Sequence, residues 1–258
     1  IITNDDKTLS IFDLFKMSEV TKLKLETISS INKIIYVNPL VLILCESNEG
    51  YDTNLSIMNV NNLSNIPYTI SNNSKENLTN IFTVENNNLF FVTKSNKESI
   101  LYIVKLDQFN EVEDMKKITF DKRIIKINVH NNLLGIWKED NEVVLYDLET
   151  NNSFISFKDE QIIDFNIYEN YFMSLLKSED EFSLYIYTIK PNFEIYSKTQ
   201  IKLNNAKNIN FYNNVVIISN NDSYMIYTFD ESNGLKFIQH VKEKLVHFYK
   251  NLIVTQVE

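Results

Sequence analysis

A recurring unit of about forty residues is the feature that most constrains the fold of this 258-residue chain. Each copy has an alternating apolar–polar run, a turn rich in Asn, a continuous apolar run, a polar turn and a second alternating run that contains Tyr. The first runs of the successive copies are anchored at Ile35, Ile81, Ile127, Phe165, Ile209 and Val246. Their spacing averages about 42 residues, which is the period of a four-stranded propeller blade.

The pattern inside each copy predicts strands. Period-2 alternation, as in Ile124–His130, indicates a strand with one buried face. A continuous apolar run, as in Leu133–Trp137, indicates a strand that is covered on both faces. Asn suits the turns because it tolerates positive φ, and the chain has three glycines in all. Since one such sheet cannot bury its own faces, the sheets must stack around an axis. We therefore predict an all-β fold, a β-propeller of six four-stranded blades.

The two ends of the chain predict how the ring closes. The opening segment Ile1–Asp6 matches Ile217–Asp222 of a complete copy, so the chain opens at the second strand of a blade. The closing segment Val246–Val257 contains a first and a second strand. We expect the N- and C-terminal strands to share one closing blade. Seven blades is the alternative, if each end blade is completed by other residues.

Composition sets the remaining limits. No linker rich in Pro, Gly or Ser interrupts the chain, which predicts a single domain over 1–258, and the missing initiator Met suggests a longer protein. No apolar run approaches the length of about 18 residues that a membrane-spanning helix needs. The N-terminus has no signal-peptide pattern, and the one cysteine, Cys45, excludes an internal disulfide. We expect an intracellular protein, cytoplasmic or nuclear.

Two short runs carry a family resemblance. Asp6–Leu14 and Asn141–Leu148 resemble the third strand of a WD repeat, which commonly ends in Trp-Asp. No Gly-His pair precedes a blade and no strand ends in Trp-Asp, so the chain is similar to a divergent WD40-like β-propeller. The resemblance implies a scaffold or adaptor that binds proteins within a complex, of the vesicle-coat, tethering or nuclear-pore type.

No motif for catalysis or for a cofactor is visible. The three histidines, His130, His240 and His247, are far apart in sequence. His130 and His247 fall at equivalent blade positions, which allows either a His-lined channel or ordinary strand-end histidines. Acidic turns such as Glu139–Glu142 do not match a calcium loop, and three scattered glycines cannot form a phosphate cradle. We predict no catalytic, metal or cofactor-binding residues, hence not an enzyme, and a core position for Trp137.

One local group of cations stands out in a chain of net charge −9 and pI about 5.0. It comprises Lys116, Lys117, Lys122, Arg123 and Lys126. An acidic protein lacks the basic surface that binds nucleic acid over a wide area, but this patch could bind it locally. The simpler interpretation is a strand edge whose lysines block edge-to-edge pairing.

Three functional hypotheses remain open. The first is the non-catalytic scaffold or adaptor, whose partners are other protein subunits of a complex. The second is an RNA-associated accessory subunit of an RNA-modifying or RNA-processing complex. The third is an enzyme or ligand-binding propeller with a polar channel.

Overall fold

A computed structural model places the backbone of most of the chain. It describes residues 2–3, 8–13, 18–24, 28–37, 40–47, 53–59, 68–72, 77–95, 98–109, 111–150, 152–158, 161–179, 181–190, 194–230, 234–242, 244–249 and 252–256. The chain falls into two compact units, 1–124 and 125–258. Each unit is described by itself below, and a single domain over 1–258 stays a prediction.

The first unit contains one three-stranded and two four-stranded antiparallel sheets. The three-stranded sheet consists of β1 (Ile2–Thr3), β2 (Thr8–Asp13) and β3 (Ser18–Lys24). The next sheet consists of β4 (Ile28–Val37), β5 (Leu40–Ser47), β6 (Thr53–Asn59) and β7 (Tyr68–Asn72). The last consists of β8 (Asn77–Glu85), β9 (Asn88–Lys94), β10 (Ser99–Leu106) and β11 (Val112–Phe120).

The second unit contains three four-stranded antiparallel sheets and ends in a two-stranded sheet. Its first sheet, which begins at the unit boundary, consists of β12 (Ile124–His130), β13 (Leu133–Lys138), β14 (Glu142–Asp147) and β15 (Asn152–Lys158). The second consists of β16 (Ile162–Tyr168), β17 (Tyr171–Ser178), β18 (Glu181–Ile189) and β19 (Ile195–Leu203). The third consists of β20 (Asn208–Tyr212), β21 (Val215–Ser219), β22 (Tyr224–Asp230) and β23 (Gly234–Val241), and β24 (Lys244–Tyr249) pairs with β25 (Leu252–Gln256).

The predicted strand pattern is confirmed. All six anchor residues lie in the first strand of their sheet, and each strand pairs with the next one along the chain. Five sheets are complete, whereas the first has three strands and the last has two, as the ends of the sequence predicted. Closure of the ring by these terminal strands, and hence the count of six or seven blades, stays a prediction. Within the described ranges no helix is long and apolar enough to cross a membrane.

Asn residues shape the hairpins as predicted. The turn between β8 and β9 has φ of 47° at Asn86 and 60° at Asn87, and the turn between β20 and β21 has 48° at Asn213 and 61° at Asn214. Two successive positive φ values are typical of the type I′ turns that join tightly paired strands. Glu169 also adopts positive φ, 52°, in the equivalent turn between β16 and β17.

The same hydrogen bond recurs in four sheets. In each, an N–H within one residue of the end of the third strand donates to a carbonyl in the turn between the first and second strands. The pairs, with their N···O distances, are Leu106 to Asn87 (2.8 Å), Leu148 to Asn132 (2.8 Å), Ile189 to Asn170 (2.7 Å) and Phe229 to Asn214 (2.7 Å). This repetition shows that the copies seen in the sequence are copies of one structural unit.

Burial decreases from the inner strands to the fourth strand. The second strands carry the fully buried runs, such as Leu89–Val92 of β9, and the fourth strands, such as β11 and β23, are largely exposed. Gly135 of β13 marks a close approach between neighbouring sheets. A Cβ placed there would lie 2.6 Å from Phe165 Cε2 and 2.7 Å from Ile167 Cδ1, both on β16, so any larger residue would force these buried side chains to shift.

Candidate functional site

An internal charge network joins the first strands of three consecutive sheets in the second unit. Asp164 of β16 is buried, and its Oδ1 accepts from the ammonium of Lys126 on β12 at 2.6 Å. Its Oδ2 accepts from the backbone N–H of Ile209 on β20 at 2.8 Å. The same ammonium donates to the carbonyl of Phe165 at 2.8 Å. The carboxylate of Asp164 therefore links β12, β16 and β20 through hydrogen bonds that satisfy a buried charge.

Neighbouring polar contacts have the same character. Asn128 Oδ1 of β12 accepts from the N–H of Ile167 on β16 at 3.0 Å. The Tyr168 hydroxyl donates to Asn213 Oδ1 at 2.6 Å, and the ring of His130 packs against that of Tyr168 with centroids 4.4 Å apart. These side chains therefore position first strands and turns.

The structure describes only some of the other residues considered for chemistry. His240 is exposed on β23, and the side chains of Cys45 and His247 fall outside the described part of the chain. Trp137 is half-buried against the apolar core of the second unit. Among the side chains that the structure describes, no three His, Cys, Asp or Glu residues form a metal-binding group.

The predicted basic patch is divided by the fold. Lys116 and Lys117 are adjacent on β11, so they point to opposite faces of the sheet. Lys117 lies over the ring of Tyr102 with its ammonium 5.0 Å from the centroid. Lys122 and Arg123 are exposed in the segment after β11, whereas Lys126 belongs to the second unit and pairs with Asp164. A nucleic-acid contact at these residues stays a prediction.

Asp147 closes the turn at the end of β14, where the WD repeat it resembles would carry Trp-Asp. Its carboxylate accepts from the Thr150 hydroxyl at 2.6 Å and from the backbone N–H groups of Glu149 and Thr150. Burial alone would raise the pKa of Asp147, but these hydrogen bonds outweigh it and hold the pKa below the ordinary value of 3.8. The residue thus stabilises a turn.

Two adjacent apolar residues are exposed on β23, the fourth strand of its sheet. Phe237 and Ile238 are 53% and 52% exposed, and they lie where the pairing of β22 with β23 shifts register, between Ile226 and Tyr227. By contrast, the exposed residues of β11 and β15 are polar or charged. Two adjacent large apolar side chains on one outer strand make β23 a candidate interaction surface, whereas β7 and β19 each expose a single one, Tyr68 and Ile195. We call this pair the β23 surface.

A second exposed aromatic side chain lies in the first unit, on the loop between β10 and β11. Phe109 is 63% exposed. Asp107 Oδ1 accepts from the N–H groups of Phe109 and Glu111, at 2.8 and 2.9 Å. Asn59, at the end of β6 in the neighbouring sheet, donates from its side-chain amide to the Phe109 carbonyl at 2.7 Å. The backbone is therefore held at several points while the ring faces solvent.

No family model matches the sequence, and no curated protein matches it. Solved structures do. Hsv2 of Kluyveromyces marxianus matches with a TM-score of 0.56 and 10% identity, over 93% of this chain and 80% of that one. Hsv2p of Kluyveromyces lactis gives 0.56 and 12%, over 91% and 80%. The computationally designed Ika8 protein gives 0.58 and 11%, over 98% and 76%.

These matches, together with the repeated four-stranded sheets, define the class of the fold. The chain has the β-propeller fold, and its sheets are blades. At such low identity the likeness establishes the fold alone. The WD40-like resemblance of Asp6–Leu14 and Asn141–Leu148 stays a prediction.

Proposed function

We propose that this chain is a non-catalytic β-propeller scaffold or adaptor that binds other proteins within a complex. The observation that carries the proposal is the β23 surface, because adjacent Phe237 and Ile238 expose apolar area on the outermost strand of a blade. Exposed aromatic and aliphatic groups on a rigid sheet lose little conformational entropy when a partner covers them. The intracellular location and the trafficking, tethering or pore-type complex suggested by the WD40-like resemblance belong to this proposal.

Purification of the full-length tagged protein from its own cells tests the proposal. We expect a complex of fixed stoichiometry that survives nuclease treatment and moderate salt, measured by native mass spectrometry. The double substitution Phe237→Ser with Ile238→Ser should remove at least one subunit. The matched control is Ile195→Ser, which also removes an exposed apolar side chain from a fourth strand, β19. A protein that remains alone in every preparation would refute the scaffold function.

The RNA-associated alternative has its own support in the exposed side chains of Lys122 and Arg123. It predicts an RNA affinity that falls steeply with salt, because phosphate contacts release counterions. Lys122→Glu with Arg123→Glu should abolish that affinity and leave thermal unfolding unchanged. A nuclease-resistant complex that the same double variant leaves intact favours the protein scaffold instead.

We further propose that the terminal sheets combine into one closing blade, which would give six blades. β24 and β25 would supply its first and second strands, and β2 and β3 its third and fourth. Removal of residues 244–258 should then lower the unfolding temperature of the full-length protein by several degrees, since the closing blade would lose half its strands. An unchanged unfolding temperature would favour end blades completed by other residues.

A further inference from the structure

Three consecutive first strands of the second unit present side chains on one common face. Lys126 and Asn128 of β12 both bond to β16. Asp164 of β16 bonds in turn to the N–H of Ile209 on β20. Because side chains on one face of a strand recur at every second residue, Asn166 points the same way as Asp164. Counted from the anchor residue of each strand, these side chains form three rows: Lys126, Asp164 and Asn208, then the amide row of Asn128, Asn166 and Asn210, then the aromatic row of His130, Tyr168 and Tyr212.

The amide row has hydrogen-bonding capacity that the described residues leave unused. Asn128 uses its Oδ1 to accept from the N–H of Ile167. Asn166 is 8% exposed, yet neither atom of its side-chain amide has a hydrogen-bond partner among the described residues, and the same holds for half-buried Asn210. The amide of Asn166 is not one of the fully enclosed polar atoms in the described part of the chain, so it reaches solvent. Since an Asn amide donates two hydrogen bonds and accepts two, this row suits a ligand that carries both donors and acceptors.

The aromatic row lies directly beside these amides. The ring centroids of His130 and Tyr168 are 4.4 Å apart, and those of Tyr168 and Tyr212 are 5.4 Å apart. The hydroxyl of Tyr168 is committed to Asn213, whereas His130 and Tyr212 are half-buried and present part of their rings to solvent. A sugar ring has hydroxyl groups at its rim and C–H groups on its faces, so amides and aromatic rings side by side match both of its parts.

The charges on these strands favour an uncharged ligand. Within β12, β16 and β20, apart from His130, the charged residues are Lys126 and Asp164, which compensate each other in an ion pair of 2.6 Å. A charged ligand bound here would therefore find no free counter-charge on these strands. The charges at the strand ends have both signs, and they are Asp121, Lys122 and Arg123 before β12, Glu169 after β16 and Lys207 before β20.

The backbone disfavours an extended peptide as the ligand. A peptide strand would pair with the N–H groups along the free edges of β16 and β20. Asn128 and Asp164 already occupy two of these donors, the N–H groups of Ile167 and Ile209. The side-chain amides, rather than the strand edges, are thus available to a ligand.

We infer that the amide row and the aromatic row together form a binding site for an uncharged saccharide. The site lies on the first strands, and β20 and β23 are opposite edges of one sheet. It is therefore separate from the β23 surface and does not depend on the scaffold function.

Saturation-transfer NMR on the full-length protein tests the inference with four neutral probes: maltose, cellobiose, lactose and N,N′-diacetylchitobiose. We expect at least one of them to bind with a Kd of about 1 mM or lower. Glucuronic acid and glucosamine, which are charged, should bind at least about tenfold more weakly than that disaccharide. Absence of binding by all four neutral probes at about 10 mM would overturn the inference, as would equal binding by the charged sugars.

Variants then locate the site. Asn166→Leu, which has similar volume, and Tyr212→Leu should each weaken binding of that disaccharide about tenfold or more. The unfolding temperature of Asn166→Leu should stay the same or rise, because no hydrogen bond among the described residues is lost. The control Asn221→Ala, which removes an exposed amide from a turn of the same unit, should leave the affinity unchanged.

Two results of these variants would contradict the site. One is an affinity that Asn166→Leu and Tyr212→Leu leave unchanged. The other is a marked fall in the unfolding temperature of Asn166→Leu, because the amide would then serve the fold. Asn210→Ala provides a second test of the amide row and should also weaken binding. A protein that binds none of the sugars but still purifies with partner subunits would lose the saccharide site and keep the scaffold function.

Discussion

Substitution of Asp164 by Ala is the sharpest perturbation of the second unit. The carboxylate accepts from the Lys126 ammonium and from the N–H groups of Phe165 and Ile209. Removing one partner of a buried ion pair costs about 3–5 kcal/mol, and a buried donor left without an acceptor costs about 1–3 kcal/mol. In the Asp164→Ala variant, the Lys126 side chain, which is 31% exposed, still donates a hydrogen bond to the Phe165 carbonyl. We therefore expect a loss of unfolding free energy at the lower end of the first range, about 3 kcal/mol.

Thermal and urea unfolding measure this loss. For a chain of this size, 3 kcal/mol corresponds to a fall in unfolding temperature of about 6–12 °C. The exposed Asp222→Ala should change stability by no more than about 0.5 kcal/mol. In a double-mutant cycle, Lys126→Ala with Asp164→Ala should cost less than the sum of the single changes, by about 1 kcal/mol or more. A loss below about 1 kcal/mol for Asp164→Ala, or a strictly additive cycle, would refute this account of the network.

Three further predictions concern packing, pH and turns. Gly135→Ala should lower the free energy of unfolding, measured in urea, by about 1–3 kcal/mol, because the new Cβ would meet Phe165. The control Gly234→Asn should leave stability unchanged, since no atom lies within 4 Å of that position and Asn accepts its φ of 70°. Because folding lowers the pKa of Asp147, its carboxylate stabilises the folded state above the ordinary pKa, and this stabilisation is lost as pH falls through the folded pKa. The difference in unfolding temperature between the wild type and Asp147→Asn should therefore narrow from about pH 6 to about pH 3. A difference that stays constant over this range would contradict the prediction. Asn214→Val should cost about 1–2 kcal/mol, because a β-branched residue resists positive φ, and an unchanged midpoint would exclude the turn geometry described.

The fold was largely predictable because the alternation of apolar and polar residues within a short segment is enough to indicate each strand. The alternating run that contains Ile127 and the continuous run that follows it became β12 and β13, and the Asn pairs became positive-φ turns. By its local pattern alone the segment Phe15–Leu25 fits a helix as well as an outer strand, and in the structure it contains β3. Burial against neighbouring sheets decides such cases, and that information is not local.

The candidate sites were much less predictable. Lys126 was grouped with Lys116 and Lys117 because they are close in sequence, yet its partner Asp164 lies 38 residues away on another strand. Strand alternation would have separated Lys116 from Lys117, and it is the one available clue that the grouping overlooked. The backbone carbonyl of Phe109 accepts a hydrogen bond from Asn59, 50 residues earlier, which no local pattern indicates.

The central claim is that one four-stranded unit recurs along the chain. Amide hydrogen exchange, followed by NMR at Leu106, Leu148, Ile189 and Phe229, tests it most directly, because in each copy the N–H donates to the turn between the first two strands. The account predicts that all four amides exchange slowly, as a set, with rates that rise together only on global unfolding. Exchange of any one of them at the rate of an unprotected amide would contradict the repeat.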